Sequence, residues 1–368
     1  MKPLPRLGIF GGGQLGRMLA MAALPLEVAC SFYEAQPDAP AAVLGPTFGD
    51  ASHSDAALAA FLASADVFTY EFENIDVALV ERIAATKPVY PSVASLRQAQ
   101  HRLQEKSLFA ELAIPTPAWR AVYALTDLEA AACDLGLPLV VKTTTLGYDG
   151  KGQFVVRTHA DIARCWQTLG AQTSLIAESF VAFRRELSII AVRAQDGQTV
   201  FYPLSENQHQ QGVLALSVVP APALDDDLRL QAEDYIRRLL ERLQHVGALT
   251  LELFETEHGL LANEMAPRVH NSGHWSIEGA DCSQFENHVR AVLGLPLGST
   301  ACPRPTAMLN ILGQHPDREQ VLAIPGAHLH LYGKSARPGR KLGHITVSAD
   351  TRADLQAAIT RLRACLPT

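Results

Sequence analysis

Residues 248–275 read ALTLELFETEHGLLANEMAPRVHNSGHW, and this stretch decides the fold of the middle of the chain. The alternation of apolar and polar residues predicts a strand over Ala248 to Glu255, and the residues from Gly259 to Met265 return as its partner. Because successive side chains point to opposite faces of a strand, the leucines of the first strand can face a core while Glu252 faces the other side. Two facing strands then bring Glu252 and Glu264 close together.

This carboxylate pair predicts a cation site. Glu252 and Glu264, with Asn263 beside them, offer hard oxygen atoms of the kind that bind magnesium together with phosphates. Two ordinary exposed glutamates are the alternative, although the flanking apolar residues disfavour full exposure. Arg268, His270 and Asn271 follow directly. The arginine offers a planar fork of donors that suits a small oxyanion, and the histidines lack any HExxH-like zinc spacing.

A glycine-bearing segment, VVKTTTLGYDGKGQF, covers residues 140–154. Lys142 ends a predicted strand, and the glycines that follow allow backbone amides to wrap phosphate oxygens. The chain has seven lysines, and Lys142 and Lys151 lie within ten residues of each other here. The segment is not a Walker A loop, because G-x-x-x-x-G-K-[ST] is absent. A solvated hairpin without a ligand is the alternative.

Near the N-terminus, LGIFGGGQLG at residues 7–16 predicts a strand, a glycine turn and the start of a helix. Gly11, Gly13 and Gly16 form G-x-G-x-x-G, a turn that brings anions close to a helix N-terminus. Glu34 lies 23 residues past Gly11, where an NAD enzyme places its ribose-binding acid. The motif alone allows three interpretations: the turn binds a dinucleotide, it binds another phosphate ligand, or it only packs the helix on the strand.

The composition narrows the class of protein. The chain has 368 residues, 48% of them hydrophobic, and a formal net charge of −7, which disfavours a nucleic-acid-coating surface. The six cysteines are scattered without a CxxC pair, which is typical of a reducing cytoplasm. Since no run of about 18 apolar residues occurs, we expect no membrane span.

The pattern of elements predicts a mixed α/β and α+β protein. Strands that alternate with helices predict an N-terminal doubly wound parallel-sheet domain at residues 1–96. The central domain is predicted at 97–296 and opens with one helix over Arg97 to Ala113. Its small glycine-loop subdomain, at about 118–185, has a hairpin sheet that we expect to continue into the strand at 186–192. A small β-rich C-terminal domain is predicted at 297–368.

Five segments together resemble one family: GGGQLGRM at 11–18, GYDGKGQ at 147–153, FYPLSENQHQQGVL at 201–214, NEMAPRVHNSGHW at 263–275 and RPGRKLGH at 337–344. The chain resembles the N5-carboxyaminoimidazole ribonucleotide synthases, which are carboxylating ATP-grasp enzymes of purine biosynthesis. The likeness runs from residue 7 to about 347 in the right order. It implies that the central domain is an ATP-grasp domain.

The resemblance also implies an activity. ATP would phosphorylate bicarbonate to carboxyphosphate, with magnesium bound, and the carboxyl group would pass to the exocyclic amine of 5-aminoimidazole ribonucleotide. ADP and phosphate would be released. The resemblance further implies a homodimer whose partners are small molecules. The cysteines, the net charge and the lack of a long apolar run predict a cytoplasmic protein without a nucleic-acid or membrane partner.

The family's site residues carry over onto matching positions. The implied ATP contacts are Arg102, Lys142, Gly147, Tyr148, Asp149, Gly150, Lys151, Gly152, Gln153, Glu178, Ser179, Phe180, Val181, Glu186, His209, Asn263 and Glu264. The implied ribonucleotide contacts are Gln14, Leu15, Glu73, Tyr148, Asp149, Lys334, Arg340 and Lys341. The implied catalytic residues are Arg268, His270, Asn271 and Lys341, and the implied magnesium ligands are Glu252 and Glu264. Residues 178–181 would be a hinge whose backbone groups read adenine.

One departure and several rivals remain. Leu146 stands where family members often have glycine, which predicts a stiffer loop hinge rather than lost chemistry. A dehydrogenase would explain only the first 34 residues. An acetate-, succinate- or biotin-type ATP-grasp ligase would explain the middle of the chain but not RVHNSGHW or RPGRKLGH. A formate-dependent glycinamide ribonucleotide transformylase is the closest rival in chemistry, since it has the same grasp and uses another small one-carbon acid. A non-enzymatic ATP-binding module would need no oxyanion site.

Overall fold

The computed structural model describes residues 5–50, 52–147, 152–170 and 174–367. Its strands are β1 (Leu7–Phe10), β2 (Cys30–Tyr33), β3 (Val67–Tyr70), β4 (Trp119–Val122), β5 (Leu139–Thr143), β6 (Gln153–Val156), β7 (Leu175–Ser179), β8 (Arg185–Arg193), β9 (Thr199–Phe201), β10 (Ser205–Gln210), β11 (Val213–Val219), β12 (Gly247–Thr256), β13 (Gly259–Ala266), β14 (Thr306–Leu312), β15 (Ala327–Leu331) and β16 (Lys341–Ser348). Its α-helices are α1 (Gln14–Ala23), α2 (Asp55–Ser64), α3 (Val77–Ala84), α4 (Val93–Gln100), α5 (Arg102–Glu111), α6 (Leu125–Leu135), α7 (Ala160–Cys165), α8 (Asp226–Arg242), α9 (Ser276–Gly279), α10 (Gln284–Val292), α11 (Arg318–Leu322) and α12 (Arg352–Cys365). Among these residues no helix is both long and apolar enough to cross a membrane.

The N-terminal sheet is parallel, with the strand order β2-β1-β3. The two faces of β1 pack in two different hydrophobic clusters. Leu7 and Ile9 pack with residues of α1 such as Leu19, whereas Phe10 packs with Phe61 of α2. Helices therefore cover both faces of the sheet, and the predicted doubly wound arrangement is confirmed.

The predicted glycine-loop hairpin is also confirmed. Strands β5 and β6 pair antiparallel, and β7 and β4 complete a four-stranded sheet in the order β4-β7-β5-β6. The prediction that residues 186–192 extend this sheet is wrong. They belong to β8, which pairs with β10 and β12 in a different sheet, because the chain leaves the small sheet after Ser179.

The large sheet has nine strands in the order β13-β12-β8-β10-β11-β14-β16-β15, with β9 paired to β8. The leucines of β12 pack against α8, as their alternation predicts, and the opposite face of this hairpin is left for polar side chains. Strands β10 and β11 were not predicted. In β10 the polar run SENQHQ conceals that Ser205 and Asn207 are buried at alternate positions, whereas the apolar run VLALSVV of β11 did carry a strand signal.

The three strands of the C-terminal β-rich region continue this large sheet, since β14 pairs with β11 along Leu216↔Leu309 and Val218↔Ala307. Leu216 is part of the same apolar cluster as Leu309 and Ile345. The predicted C-terminal strands exist, but they form one sheet with the central strands.

The helix predicted over residues 97–113 is two helices. His101 adopts an extended conformation, with φ −130° and ψ 110°, and separates α4 from α5. The break is stabilised by a hydrogen bond from the Arg102 amide to the carbonyl oxygen of Thr144, at 2.9 Å. It places Arg102 at the start of α5, close to the carboxylate hairpin.

Candidate active site

One cleft of about 1240 Å³ collects residues from all three parts of the chain. Of the residues predicted for the site, those that line it are Gln14, Leu15, Glu73, Arg102, Lys142, Gly147, Gln153, Glu178, Ser179, Phe180, Val181, Glu186, His209, Glu252, Asn263, Glu264, Arg268, His270, Asn271, Lys334, Arg340 and Lys341. Gly152 is described but is not part of the cleft wall; its carbonyl oxygen accepts a hydrogen bond from the Thr143 amide. Tyr148, Asp149, Gly150 and Lys151 lie outside the described residues.

The carboxylates of Glu252 and Glu264 come from positions directly opposite each other on β12 and β13. Their side chains are 19% and 38% exposed, so both reach the cleft. Burial, and then the negative charge of Glu264, raise the pKa of Glu252. Burial by itself would raise the pKa of Glu264 as well. The positive charges of Arg102 and Lys142 outweigh the effect of burial, so the pKa of Glu264 is lowered. A cation between the two carboxylates would relieve their repulsion.

These residues fit a magnesium ion. Carboxylate oxygens, with the amide oxygen of Asn263 next to Glu264, are the hard ligands that magnesium takes. No group of three or more His, Cys, Asp or Glu side chains within the described ranges is arranged to hold a metal ion. A magnesium ion here would therefore be held by two carboxylates and would depend on a nucleotide's phosphates for further ligands.

Two buried lysines lie beside this pair and share one carboxylate. Glu178 pairs with Lys106 at 2.7 Å and with Lys142 at 2.6 Å. Burial opposes the charge of Glu178, but Lys142 and Lys106 outweigh it and lower its pKa to about 2. The side chain of Glu178 thus fixes the ammonium group of Lys142, which also lies 3.4 Å from the side-chain oxygen of Asn263.

Only some of the backbone amides of the predicted hinge, residues 178–181, are available to bind a ligand. The amide of Ser179 donates to the carbonyl oxygen of Ala118 at 2.8 Å, and that of Phe180 donates to Pro138 at 3.3 Å. The amide of Val181 has no hydrogen bond to any described residue. An adenine at the hinge would therefore meet the Val181 amide and the hinge carbonyl oxygens.

Further along the cleft, aromatic and polar side chains form its walls. Phe183 stacks on Phe254, with ring centroids 4.9 Å apart. Glu186 pairs with His209. Burial by itself would lower the pKa of His209, but the hydrogen bond to Glu186 and the negative charges of Glu252 and Glu186 together outweigh it, so the pKa is raised. The apolar wall suits a planar base, and the Glu186 carboxylate suits hydroxyl donors.

Arg268, two residues past the end of β13, forms a partly buried ion pair with Glu73 of the N-terminal unit. The two residues were predicted for different substrates, bicarbonate and the ribonucleotide, yet the structure joins them. Arg268 also donates to the carbonyl oxygen of Val269 at 3.0 Å, through Nη1. The other terminal nitrogen, Nη2, has no hydrogen bond to the described part of the chain, and Arg268 lines the cleft, so this nitrogen is a candidate donor to an oxyanion.

His270 and Asn271 are held by amide side chains that the sequence did not single out. The buried Gln284 accepts from the His270 amide at 2.9 Å and donates to the His270 carbonyl oxygen at 2.6 Å. Asn271 and the buried Asn310 exchange two hydrogen bonds, at 3.1 and 2.6 Å. Burial, and then the charges of Arg268 and Lys341, lower the pKa of His270 to about 3, so its ring is neutral near pH 7.

The N-terminal glycine turn is occupied by a carboxylate of the protein itself. The buried Glu71 accepts hydrogen bonds from the amides of Gly13 and Gly16. The amides of Gln14 and Leu15 have no hydrogen bond to any described residue. A dinucleotide pyrophosphate would compete with Glu71 for the turn, whereas a ligand that uses only Gln14 and Leu15 would not.

Basic residues of the C-terminal region face this turn. Lys334 donates to the side-chain oxygen of Gln14. Burial, and then the charge of Arg340, lower the pKa of Lys334 to about 8. Arg340 donates to the hydroxyl of Ser335 at 2.9 Å. With Lys341 on the same wall of the cleft, these cations suit a phosphate group.

The sequence contained signals for two of the missed residues. Lys106 lies on the same face of α5 as the buried Phe109, three residues later, so a charged residue stands beside an apolar one on a buried helix face. Glu71 directly follows β3, and side chains after the carboxyl ends of parallel strands meet at one edge of a sheet. Gln284 and Asn310 carry no such signal.

Three family models match successive parts of the chain. The ribonucleotide synthetase preATP-grasp domain matches residues 4–100, the ATP-grasp domain matches 107–285, and the phosphoribosylaminoimidazole carboxylase C-terminal domain matches 306–358.

Relatives match over almost the whole length. The N5-carboxyaminoimidazole ribonucleotide synthase of Pseudomonas aeruginosa is 50% identical over 98% of this chain and 99% of its own, and that of Vibrio cholerae is 40% identical over 98% and 95%. The crystal structure of the Thermus thermophilus synthetase has a TM-score of 0.94 at 46% identity, covering 98% of this chain and 99% of that one. The Aspergillus clavatus synthase, solved with ADP and 5-aminoimidazole ribonucleotide, has a TM-score of 0.91 at 31% identity, covering 99% and 100%.

Proposed function

The chain belongs to the N5-carboxyaminoimidazole ribonucleotide synthase family of ATP-grasp enzymes, and from this premise we propose how its cleft carries out the reaction. It is an ATP-dependent ligase that carboxylates 5-aminoimidazole ribonucleotide in purine biosynthesis. The proposal concerns the carboxyl donor, the metal and the roles of individual residues.

The observation that carries the proposal is the order of charges along the cleft. Glu264 contacts Arg102 at 2.7 Å and is also influenced by the charge of Lys142, whereas Glu252 lies 3.2 Å from His270, two residues after Arg268. Phosphates bound near Arg102 and Lys142 would present their terminal group to Arg268 and the neutral His270. A small acid held by Arg268 would then receive that group.

We propose that this small acid is bicarbonate. An oxygen of bicarbonate attacks the γ-phosphorus of ATP, the bond to the bridging oxygen breaks, and carboxyphosphate and ADP result. Arg268 binds the anionic oxygens of bicarbonate and of the phosphoryl group, and Asn271 orients them. The amine of the ribonucleotide then takes up the carboxyl carbon, either from carboxyphosphate or from the carbon dioxide it releases, and phosphate leaves.

The ribonucleotide is proposed to bind between the N-terminal turn and the C-terminal cations. The free amides of Gln14 and Leu15, with Lys334, Arg340 and Lys341, suit its phosphate and ribose. Glu73, which is paired with Arg268, lies where the two substrates would meet.

Glu252 and Glu264 are proposed to hold magnesium, which would neutralise charge on the ATP phosphates. Replacing Glu264 by Gln keeps the shape but removes a ligand charge, so turnover should fall on the order of a hundredfold or more, and the magnesium dependence should move to higher concentration. Glu257→Gln, in the exposed turn of the same hairpin, is the matched control. Near wild-type activity of Glu264→Gln at saturating magnesium would remove both residues from this role.

One assay separates the proposed reaction from its rival. ADP release should require both bicarbonate and 5-aminoimidazole ribonucleotide for full rate. Formate with glycinamide ribonucleotide should give none above background. ADP release that is indifferent to bicarbonate, or that is supported by formate, would overturn the proposed carboxyl donor.

We also propose a homodimer in the cytoplasm. The homodimer is supported by the family alone, and sedimentation equilibrium of the purified chain tests it. The cytoplasmic location is supported by the six cysteines, all of which are free thiols. A fluorescent fusion retained at the cell envelope would contradict it.

A further inference from the structure

A chain of hydrogen bonds runs through the large sheet to the ring of His270. Ser217 donates to the amide oxygen of Asn207 at 2.7 Å, and the Asn207 amide nitrogen donates to Ser188 at 2.9 Å. Ser188 donates to the hydroxyl of Ser272 at 2.8 Å, and Ser272 lies 2.9 Å from Nδ1 of His270. The four residues are at most 6% exposed.

The strand register produces this arrangement. Asn207 of β10 pairs directly with Ser217 of β11, and Ser188 of β8 pairs directly with Glu252 of β12. Residues paired across strands share one face of a sheet, so this polar row lies on the face that carries the carboxylates. Ser272 lies over the row in the short turn Asn271–Gly273.

The side-chain amide of Asn207 fixes the direction of the hydrogen bonds in this row. A hydroxyl has one proton, so Ser188, which accepts from Asn207, donates its own proton to Ser272. Ser272 accepts that proton and therefore donates its own to Nδ1. The backbone amide of Ser272 points at the same nitrogen, at 3.3 Å, and an amide can only donate. Both contacts make Nδ1 an acceptor.

The remaining ring proton is therefore on Nε2, which lies 3.2 Å from a carboxylate oxygen of Glu252. With this tautomer the ring donates to Glu252. With the other tautomer a nitrogen lone pair would face the carboxylate and repel it.

We propose that Ser217, Asn207, Ser188 and Ser272 are positioning residues that hold His270 as its Nε2–H tautomer, so that the ring orients Glu252. The inference rests on the proposed function only for the role of Glu252 as a magnesium ligand. The tautomer itself is a property of the folded chain.

The test is nitrogen NMR of the full-length protein labelled with ¹⁵N-histidine, in which the two ring nitrogens report the tautomer directly. The His270 signals are assigned as those missing from His270→Gln. Wild type should show the Nε2–H tautomer. Ser188→Ala removes the proton that Ser272 accepts, so the Ser272 hydroxyl can turn and accept from Nδ1, and only the longer contact from the Ser272 amide, at 3.3 Å, opposes that tautomer. The variant should therefore give a mixture of tautomers and a loss of turnover of roughly tenfold to a hundredfold, without a change in KM for ATP. Ser188→Thr, which restores a hydroxyl, should recover both properties.

Ser205→Ala is the matched control. Ser205 is equally buried on β10 and donates to the Ser272 carbonyl oxygen at 3.3 Å, but it is not one of the hydrogen-bonded side chains that lead to Nδ1 of His270. It should change neither tautomer nor turnover. A wild-type His270 protonated on Nδ1 would overturn the proposal, as would a loss of activity in Ser188→Ala with an unchanged tautomer. Because the wild-type spectrum is read without substrates, its result is independent of which carboxyl donor is used.

Discussion

Arg268 and Lys341 allow the two substrate sites to be separated residue by residue. If Arg268 binds bicarbonate and the phosphoryl group moving onto it, Arg268→Ala should lower turnover on the order of a hundredfold with little change in KM for the ribonucleotide. Lys341→Ala should chiefly raise that KM, since the lysine only places the ribonucleotide. Steady-state kinetics with each substrate varied in turn measures both effects.

Arg268 also forms the partly buried ion pair with Glu73, so a melting curve must accompany the kinetics. Removing one partner of a buried ion pair leaves the other charge unpaired and destabilises the fold. The double variant Glu73→Gln with Arg268→Ala should recover stability but not turnover. If Arg268→Ala weakened only ribonucleotide binding, or Lys341→Ala altered only the bicarbonate dependence, the two assignments would be wrong.

At the scale of elements, the link between β5 and β6 contains a non-glycine residue in a conformation that favours glycine. Leu146 has φ +60°, and its side chain is exposed. Glycine reaches this region without the roughly 1–2 kcal/mol penalty of other residues, but it also makes the unfolded chain more flexible. We expect Leu146→Gly to leave the melting temperature nearly unchanged and to raise KM for ATP, because a freer loop loses more entropy on binding.

Leu146→Ala separates backbone stiffness from the leucine side chain, since alanine keeps a Cβ and hence the restricted backbone. It should behave like wild type in both measurements. A large fall in kcat for both variants would mean instead that the side chain takes part in the reaction.

For the whole molecule, two buried histidines make the junction between the N-terminal and central regions sensitive to acid. His288 contacts Thr69 at 2.8 Å and accepts from the Ala248 amide at 3.0 Å, while His245 contacts Ser95 at 3.1 Å. Burial lowers the pKa of His288 to about 3 and that of His245 to about 4, from 6.5.

Both histidines must therefore be neutral in the fold, whereas the unfolded chain protonates them below pH 6.5. Stability is full above that pH and falls as the pH drops toward the folded values, by about 1.4 kcal/mol per histidine at one pH unit below. Melting temperatures measured between neutral pH and about pH 5.5 should decrease. His288→Gln should weaken the decrease, and His258→Gln, in the exposed turn between β12 and β13, should not. An identical pH dependence in His288→Gln would exclude this role.

Local sequence patterns predict most of the helices and strands and place Glu252 opposite Glu264, but they miss β10, β11 and the break at His101. Alternation fixed which side of β12 is apolar, so Glu252 had to face away from the core and toward Glu264. Glycine spacing located the N-terminal turn, where Gly11 has a φ of +97° that few other residues adopt, and it predicted a loop between β5 and β6. The resemblance in five ordered segments supplied the family.

Only the tertiary structure decided what depends on strands far apart in sequence. The continuation of the central sheet into β14, the occupation of the glycine turn by Glu71 and the row from Ser217 to His270 all follow from pairings between distant segments. Local patterns do not specify such pairings, because hydrophobic alternation gives the face of a strand but not its neighbour. The break at His101 belongs with them, since a distant carbonyl oxygen, that of Thr144, stabilises it.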